Sequence, residues 1–102
     1  MWMDACKEGD LSDGEHLTLS CTNIRVALFF VNGTYYAIED TCTHDGAEIA
    51  TGKVVGTEIT CPRHGARFCI KTGKSITPPA YEDILSLPTR IIDYSVQILI
   101  PE

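Results

Sequence analysis

No stretch of this chain is apolar for long enough to cross a bilayer, and its start, Met1-Trp2-Met3-Asp4-Ala5-Cys6, has neither a basic opening nor a hydrophobic signal core. The expectation is a cytoplasmic protein with no membrane partner. Apolar residues at helical spacing are missing too, and Asp45 to Ala50 has room for one turn at most. There is no nucleotide-binding glycine run and no nucleophile with an adjacent base, so the chain is not expected to be an enzyme by itself. Cations are scarce: eight Lys and Arg face fourteen Asp and Glu, for a net charge of −6. That balance argues against nucleic acid as a partner, because phosphate would be repelled. It suits a protein that meets basic faces, with association weakening as salt rises, or it serves solubility alone.

What is present is ordinary globular material. A length of 102 residues, 44% hydrophobic and 22% charged, implies one domain with a modest core. No repeat or low-complexity tract divides it. Five cysteines, at 6, 21, 42, 61 and 69, are an odd number without an export signal, so a disulfide framework is not expected. Cys6, Cys21 and Cys69 read as reduced and mostly buried small hydrophobes.

Short β-strands account for most of the chain. A short apolar segment, Trp2 to Cys6, precedes a loop rich in Gly, Ser and Asp, and His16 to Cys21 alternates as a half-buried strand does. His16 reads as a surface residue. Ile24 to Val31 and Thr34 to Ile38 flank Asn32-Gly33, a strong local hairpin signal because both turn residues accept positive φ. Tyr35 and Tyr36 read as sheet packing. Gly52 to Thr60 reads as a second, smaller hairpin, Arg67 to Ile70 as a short strand with a turn at Lys71 to Lys74, and Thr89 to Ile100 as one or two closing strands. The fold class is all-β, an antiparallel base made from both ends of the chain with an insert at about residues 40–67; the base is residues 1–39 and 68–102.

Two short loops carry the chemistry. Thr41-Cys42-Thr43-His44-Asp45-Gly46 reads C-x-H and Cys61-Pro62-Arg63-His64-Gly65 reads C-x-x-H, so each offers one thiolate and one imidazole. The hairpin between them brings the second back beside the first. Two Cys and two His split evenly between two loops suit a pair of irons, with thiolates on one and imidazoles on the other. A Cys2His2 zinc site is the alternative, though zinc sites usually pair like with like.

At these residues the chain resembles the Rieske ferredoxins, small electron carriers that serve bacterial ring-hydroxylating dioxygenases. The resemblance implies a Rieske fold, with an antiparallel β-sandwich base and an inserted cluster-binding subdomain, and one [2Fe–2S] cluster. It makes Cys42 and Cys61 ligands of the inner iron and His44 and His64 ligands of the outer one, at the exposed edge where electrons enter and leave. Neutral imidazoles make such a centre easier to reduce than an all-Cys cluster. Because their ring nitrogens ionise, the potential should fall as pH rises. Two ferric ions, two sulfides and two thiolates are together neutral, so reduction adds one negative charge. Pro78-Pro79 resembles the family's lid over the cluster, or simply separates two strands.

The departures from pattern also carry meaning. Respiratory Rieske proteins join the loops by a disulfide, and here the matching places are Ala47 and Arg63, so that staple cannot form. Ala66 stands where those proteins present a serine hydroxyl to a cluster sulfur. Fewer hydrogen bonds to sulfur imply a potential near the lower end of the Rieske range, about −150 mV. Cys69 stands where oxygenase ferredoxins commonly place an aspartate, and Arg63 either belongs to a docking face or is simply solvated. The implied function is one-electron transfer from a flavin-dependent ferredoxin reductase to a terminal oxygenase of aromatic-ring catabolism, by a monomer. The alternatives are the Rieske-like small subunit of a nitrite reductase and a zinc-stabilised binding module.

Overall fold

The computed structural model describes residues 1–21, 23–41, 48–63, 65–77 and 82–101. Among them lie ten strands and no helix: β1 Trp2–Lys7, β2 His16–Ser20, β3 Arg25–Val31, β4 Thr34–Glu39, β5 Lys53–Val55, β6 Glu58–Thr60, β7 Arg67–Cys69, β8 Ser86–Leu87, β9 Thr89–Ile92 and β10 Ser95–Leu99. They form three antiparallel sheets, ordered β1-β10-β9, β2-β3-β4-β8 and β5-β6-β7.

The four-stranded sheet is the middle layer, and β3 shows why. Its run Val-Ala-Leu-Phe-Phe-Val does not alternate with polar residues, as a strand with one wet face would. Ala27, Phe29 and Val31 point to one side and pack with Ile38, Ile59 and Phe68. Val26 and Leu28 point to the other and pack with Ala37, Leu87, Val96 and Ile98. A strand buried on both faces needs apolar residues at every position. Each fully buried Phe or Ile contributes about 1.5–3 kcal/mol of transfer free energy. Tyr35 belongs to the second of these clusters, and Tyr36 packs against the first.

Turn chemistry sets the registers. Asn32 (φ 51°) and Gly33 (φ 79°) join β3 to β4, as their residue types predict. The β9–β10 hairpin turns through Asp93 and Tyr94, at φ 50° and 65°. A bulky tyrosine rarely adopts that backbone, so the turn carries no sequence signature. Its carbonyl accepts the Glu8 amide at 2.8 Å, which ties the turn to the end of β1.

β1 pairs with β10, so the two ends of the chain lie in one sheet. His16 is exposed and its ring lies 5.6 Å from that of Phe29. The described cysteines form no disulfide, but Cys6, Cys21 and Cys69 are half-buried rather than buried. Cys6 packs against the second core cluster from the edge strand β1, Cys69 alternates with the buried Phe68 on β7, and Cys21, just past β2, lies 3.8 Å from the Met3 sulfur.

Candidate metal centre

Of the four sequence-predicted ligands, Cys61 is described, while Cys42, His44 and His64 lie outside the described residues, as do Pro78 and Pro79. Cys61 directly follows β6 and is 1% exposed. Its amide donates to the Ala66 carbonyl at 2.7 Å, continuing the β6–β7 ladder, and its carbonyl accepts the Gly65 amide at 3.1 Å. The loop between is thus folded back on itself, with Cys61 and Ala66 buried and Pro62, Arg63 and Gly65 exposed.

The first loop is anchored by a residue that sequence reading did not single out. Asp40, 2% exposed, directly follows β4, and its Oδ1 accepts the amides of Ile49 at 2.8 Å and Ala50 at 2.9 Å. Its own amide donates to the Arg25 carbonyl at 2.8 Å. A carboxylate that leaves water needs such donors. Here they come from the far side of residues 42–47, so the two ends of the ligand loop are clasped together. Arg25 also pairs with Glu48 at 3.2 Å, an exposed contact of small energetic weight. The one available sequence signal was an Asp directly after an apolar strand, which a turn explains equally well.

The two loops converge through their flanks. Ile49 and Ala50, just after the first, share one core with Cys61 and Ala66 of the second. The segment bearing Pro78 and Pro79 is tied down on both sides: Ile76 donates to the Arg67 carbonyl at 2.8 Å, and the Arg67 amide donates to Thr77 Oγ1 at 3.1 Å. Beyond it, Asp83 Oδ1 accepts the Ser75 amide at 2.8 Å and Ile84 donates to the Gly73 carbonyl at 2.7 Å. Gly73, at φ 77°, sits so close to the Ile84 carbonyl that a Cβ would lie 1.8 Å from its oxygen.

Two thiols outside the motif have altered acidity. Burial pushes the Cys69 thiol up, but the hydroxyl and amide of Thr72 and the backbone and charge of Lys71 outweigh it, holding the thiol below its ordinary value. Burial, followed by the Asp10 carboxylate, pushes the Cys6 thiol up.

The donor set fits an iron–sulfur group better than an open catalytic metal site. Cys61 is a soft ligand withdrawn from water, suited to the inner side of a cluster. Its loop is narrow and closed by backbone hydrogen bonds. The comparisons with known proteins agree. Residues 1–89 match the Rieske [2Fe-2S] domain. The ferredoxin component of the naphthalene 1,2-dioxygenase/salicylate 5-hydroxylase systems of Ralstonia is 34% identical over 95% of this chain and 93% of its own length. A ferredoxin of Sphingomonas yanoikuyae B1 superposes with a TM-score of 0.89, at 31% identity over 97% of this chain and 98% of that one. A chain from a complex of reduced oxygenase and oxidised ferredoxin in carbazole 1,9a-dioxygenase gives 0.91 at 28% identity, over 95% and 91% of the two chains. A chain described as an NADH-dependent nitrite reductase small subunit from Mycobacterium tuberculosis, 20% identical with a TM-score of 0.84 over 96% and 93%, shares the fold alone. An all-β fold in three antiparallel sheets, a buried Cys61 in a closed loop and these likenesses together identify the chain as a member of the Rieske [2Fe–2S] family, of the ferredoxin kind.

Proposed function

We propose that this chain is a low-potential Rieske ferredoxin that takes one electron from a flavin-dependent ferredoxin reductase and passes it to a terminal oxygenase of aromatic-ring catabolism. The observation that carries this reading is the burial of Cys61 in a core shared with Ile49, Ala50 and Ala66, the flanks of both ligand loops. Cys42, Cys61, His44 and His64 would hold one [2Fe–2S] cluster, the thiolates on one iron and the imidazoles on the other. When bound, the cluster supplies one-electron redox chemistry.

The residues of the chain do the rest. The Ala66 carbonyl holds the Cys61 backbone and so aims its sulfur. Asp40 clasps the two flanks of the first loop together through the Ile49 and Ala50 amides. Ile49, Ile59 and Phe68 exclude water from the inner side. The lid role that the family resemblance gives Pro78 and Pro79 rests on a segment whose flanks, at Thr77 and Ile84, are hydrogen-bonded to Arg67 and Gly73. Ala66 has no hydroxyl to offer, so the potential stays near the lower end of the Rieske range, about −150 mV. The domain divides into a base, residues 1–39 and 68–102, and a cluster-binding insert at about 40–67, and it works as a cytoplasmic monomer.

Metal and sulfide analysis together with voltammetry tests this. Two iron and two acid-labile sulfide per chain, lost in Cys61→Ser and His64→Ala, are expected, with a wave near about −150 mV. One zinc per chain, or a wave several hundred millivolts higher, would overturn the assignment.

A further inference from the structure

The charge of this acidic protein is unevenly divided. Residues 53–77 hold five of the eight cationic side chains, Lys53, Arg63, Arg67, Lys71 and Lys74, and only one of the fourteen carboxylates, Glu58. All five cationic residues are exposed. Strand register gathers them. Val54, Ile59 and Phe68 lie side by side across the β5-β6-β7 sheet and face the core. The neighbouring rows, Lys53-Thr60-Arg67 and Val55-Glu58-Cys69, therefore face outward. Lys71 and Lys74 extend this face through the next turn, which Cys69 holds by donating its amide to the Lys74 carbonyl at 2.9 Å. Glu58 is already paired with Arg67 at 3.4 Å, while Asp83 and Glu82 border the turn beyond Ser75. Val55, 64% exposed, is an apolar spot on this same outer face, at the edge strand β5 and in the row with Glu58 and Cys69.

We propose that this outer face of the β5-β6-β7 sheet is the docking surface for an acidic face of the flavin reductase, an inference that rests on the electron-carrier reading above. An exposed apolar side chain beside charged ones that stay in water is compatible with a protein interface. The middle residue of the row Lys53-Thr60-Arg67 directly precedes Cys61, so a partner seated there is beside the metal site. The acidic remainder of the molecule turns this end toward an acidic partner during approach. The direction of electron flow selects the reductase over the oxygenase. Reduction adds one negative charge beside the face, so an acidic partner holds the oxidised carrier more tightly than the reduced one. That preference suits a donor, which must capture the oxidised form and release the reduced one. In an electron acceptor it would retain the spent carrier.

The test is stopped-flow reduction of the cluster-loaded protein by a flavin ferredoxin reductase that reduces the wild type. Lys53→Glu/Lys71→Glu is expected to lower the second-order rate constant about tenfold or more at low salt and to reverse its salt dependence. Lys53→Gln/Lys71→Gln should fall between, and Glu8→Lys, on the sheet across the middle layer, should change little. The visible spectrum and the potential of each variant should match the wild type, which separates docking from damage to the fold. A wild-type rate in the double Glu variant would overturn the proposal, as would slower delivery to the oxygenase with unchanged reduction by the reductase. Failure of every flavin reductase to reduce the wild type would instead overturn the carrier reading itself.

Discussion

The Ile49 amide donates to Asp40 Oδ1 at 2.8 Å across the base of the first ligand loop, and the Ala50 amide joins it on the same oxygen. A single buried carboxylate thereby joins the two flanks of the segment that carries the proposed ligands Cys42 and His44. Asp40→Ala leaves two amides without their acceptor, and the expected loss is about 2–4 kcal/mol. Asp40→Asn keeps an acceptor and should restore much of it. Denaturant midpoints of the loaded protein, with the half-life of iron release to a chelator, give both numbers.

Phe68 stands at the β7 end of the inner row of the β5-β6-β7 sheet and is wholly buried. Phe68→Ala is expected to cost about 3–5 kcal/mol. Because the same core holds Cys61, iron retention should fall together with the unfolding midpoint. A large stability loss without faster iron release would separate this core from the metal site.

Ala66 is wholly buried and hydrogen-bonded through its backbone to Cys61. Ala66→Ser adds a donor without moving that backbone. A hydrogen bond to a charged acceptor favours the reduced centre, so the potential should rise by tens of millivolts, at most about 130 mV. Voltammetry of the variant measures the shift directly.

Gly73 has a left-handed backbone and no room for a side chain against Ile84. Gly73→Ala should loosen the strap that carries residues 78–81. The expected signs are a lower unfolding midpoint and faster proteolysis near Ile76.

The thiols outside the motif should separate by pH. Cys69, held below its ordinary value of 9.0, should be alkylated first, with a rate that levels off at lower pH than that of an unperturbed thiol. Its contribution to stability is present above the unfolded value and is lost as pH falls through the folded one. For Cys6 the sign is opposite: its contribution is present below the unfolded value and disappears as pH rises through the raised one. Mass-spectrometric footprinting of the loaded protein over a pH series reads the order.

Strands and turns were legible where local chemistry and tertiary need agree. Asn32-Gly33 marked its hairpin because no other common pair accepts that backbone so readily. The β9–β10 turn was not legible, since Asp93-Tyr94 is held there by the Glu8 contact with β1, far away in sequence. β8 escaped notice because Ser86 and Leu87 make a strand only by pairing with β4. The position of Cys61 was plain from its motif, while Asp40 was hidden: its importance lies in two backbone amides, which have no residue identity to read. The half-exposure of Cys69 shows the same limit, because residue type gives a preference for burial but not the strand face on which it falls.

Met1 and Ile100 exchange backbone hydrogen bonds, at 3.0 Å from the terminal ammonium and 2.8 Å back to the Met1 carbonyl. The sheet they extend contributes nothing to the core around Cys61. The fold therefore behaves as a cassette with its leads side by side, in a sheet apart from the core around Cys61. Joining the two leads while opening the chain at Asn32-Gly33 gives a permuted carrier with every sheet intact.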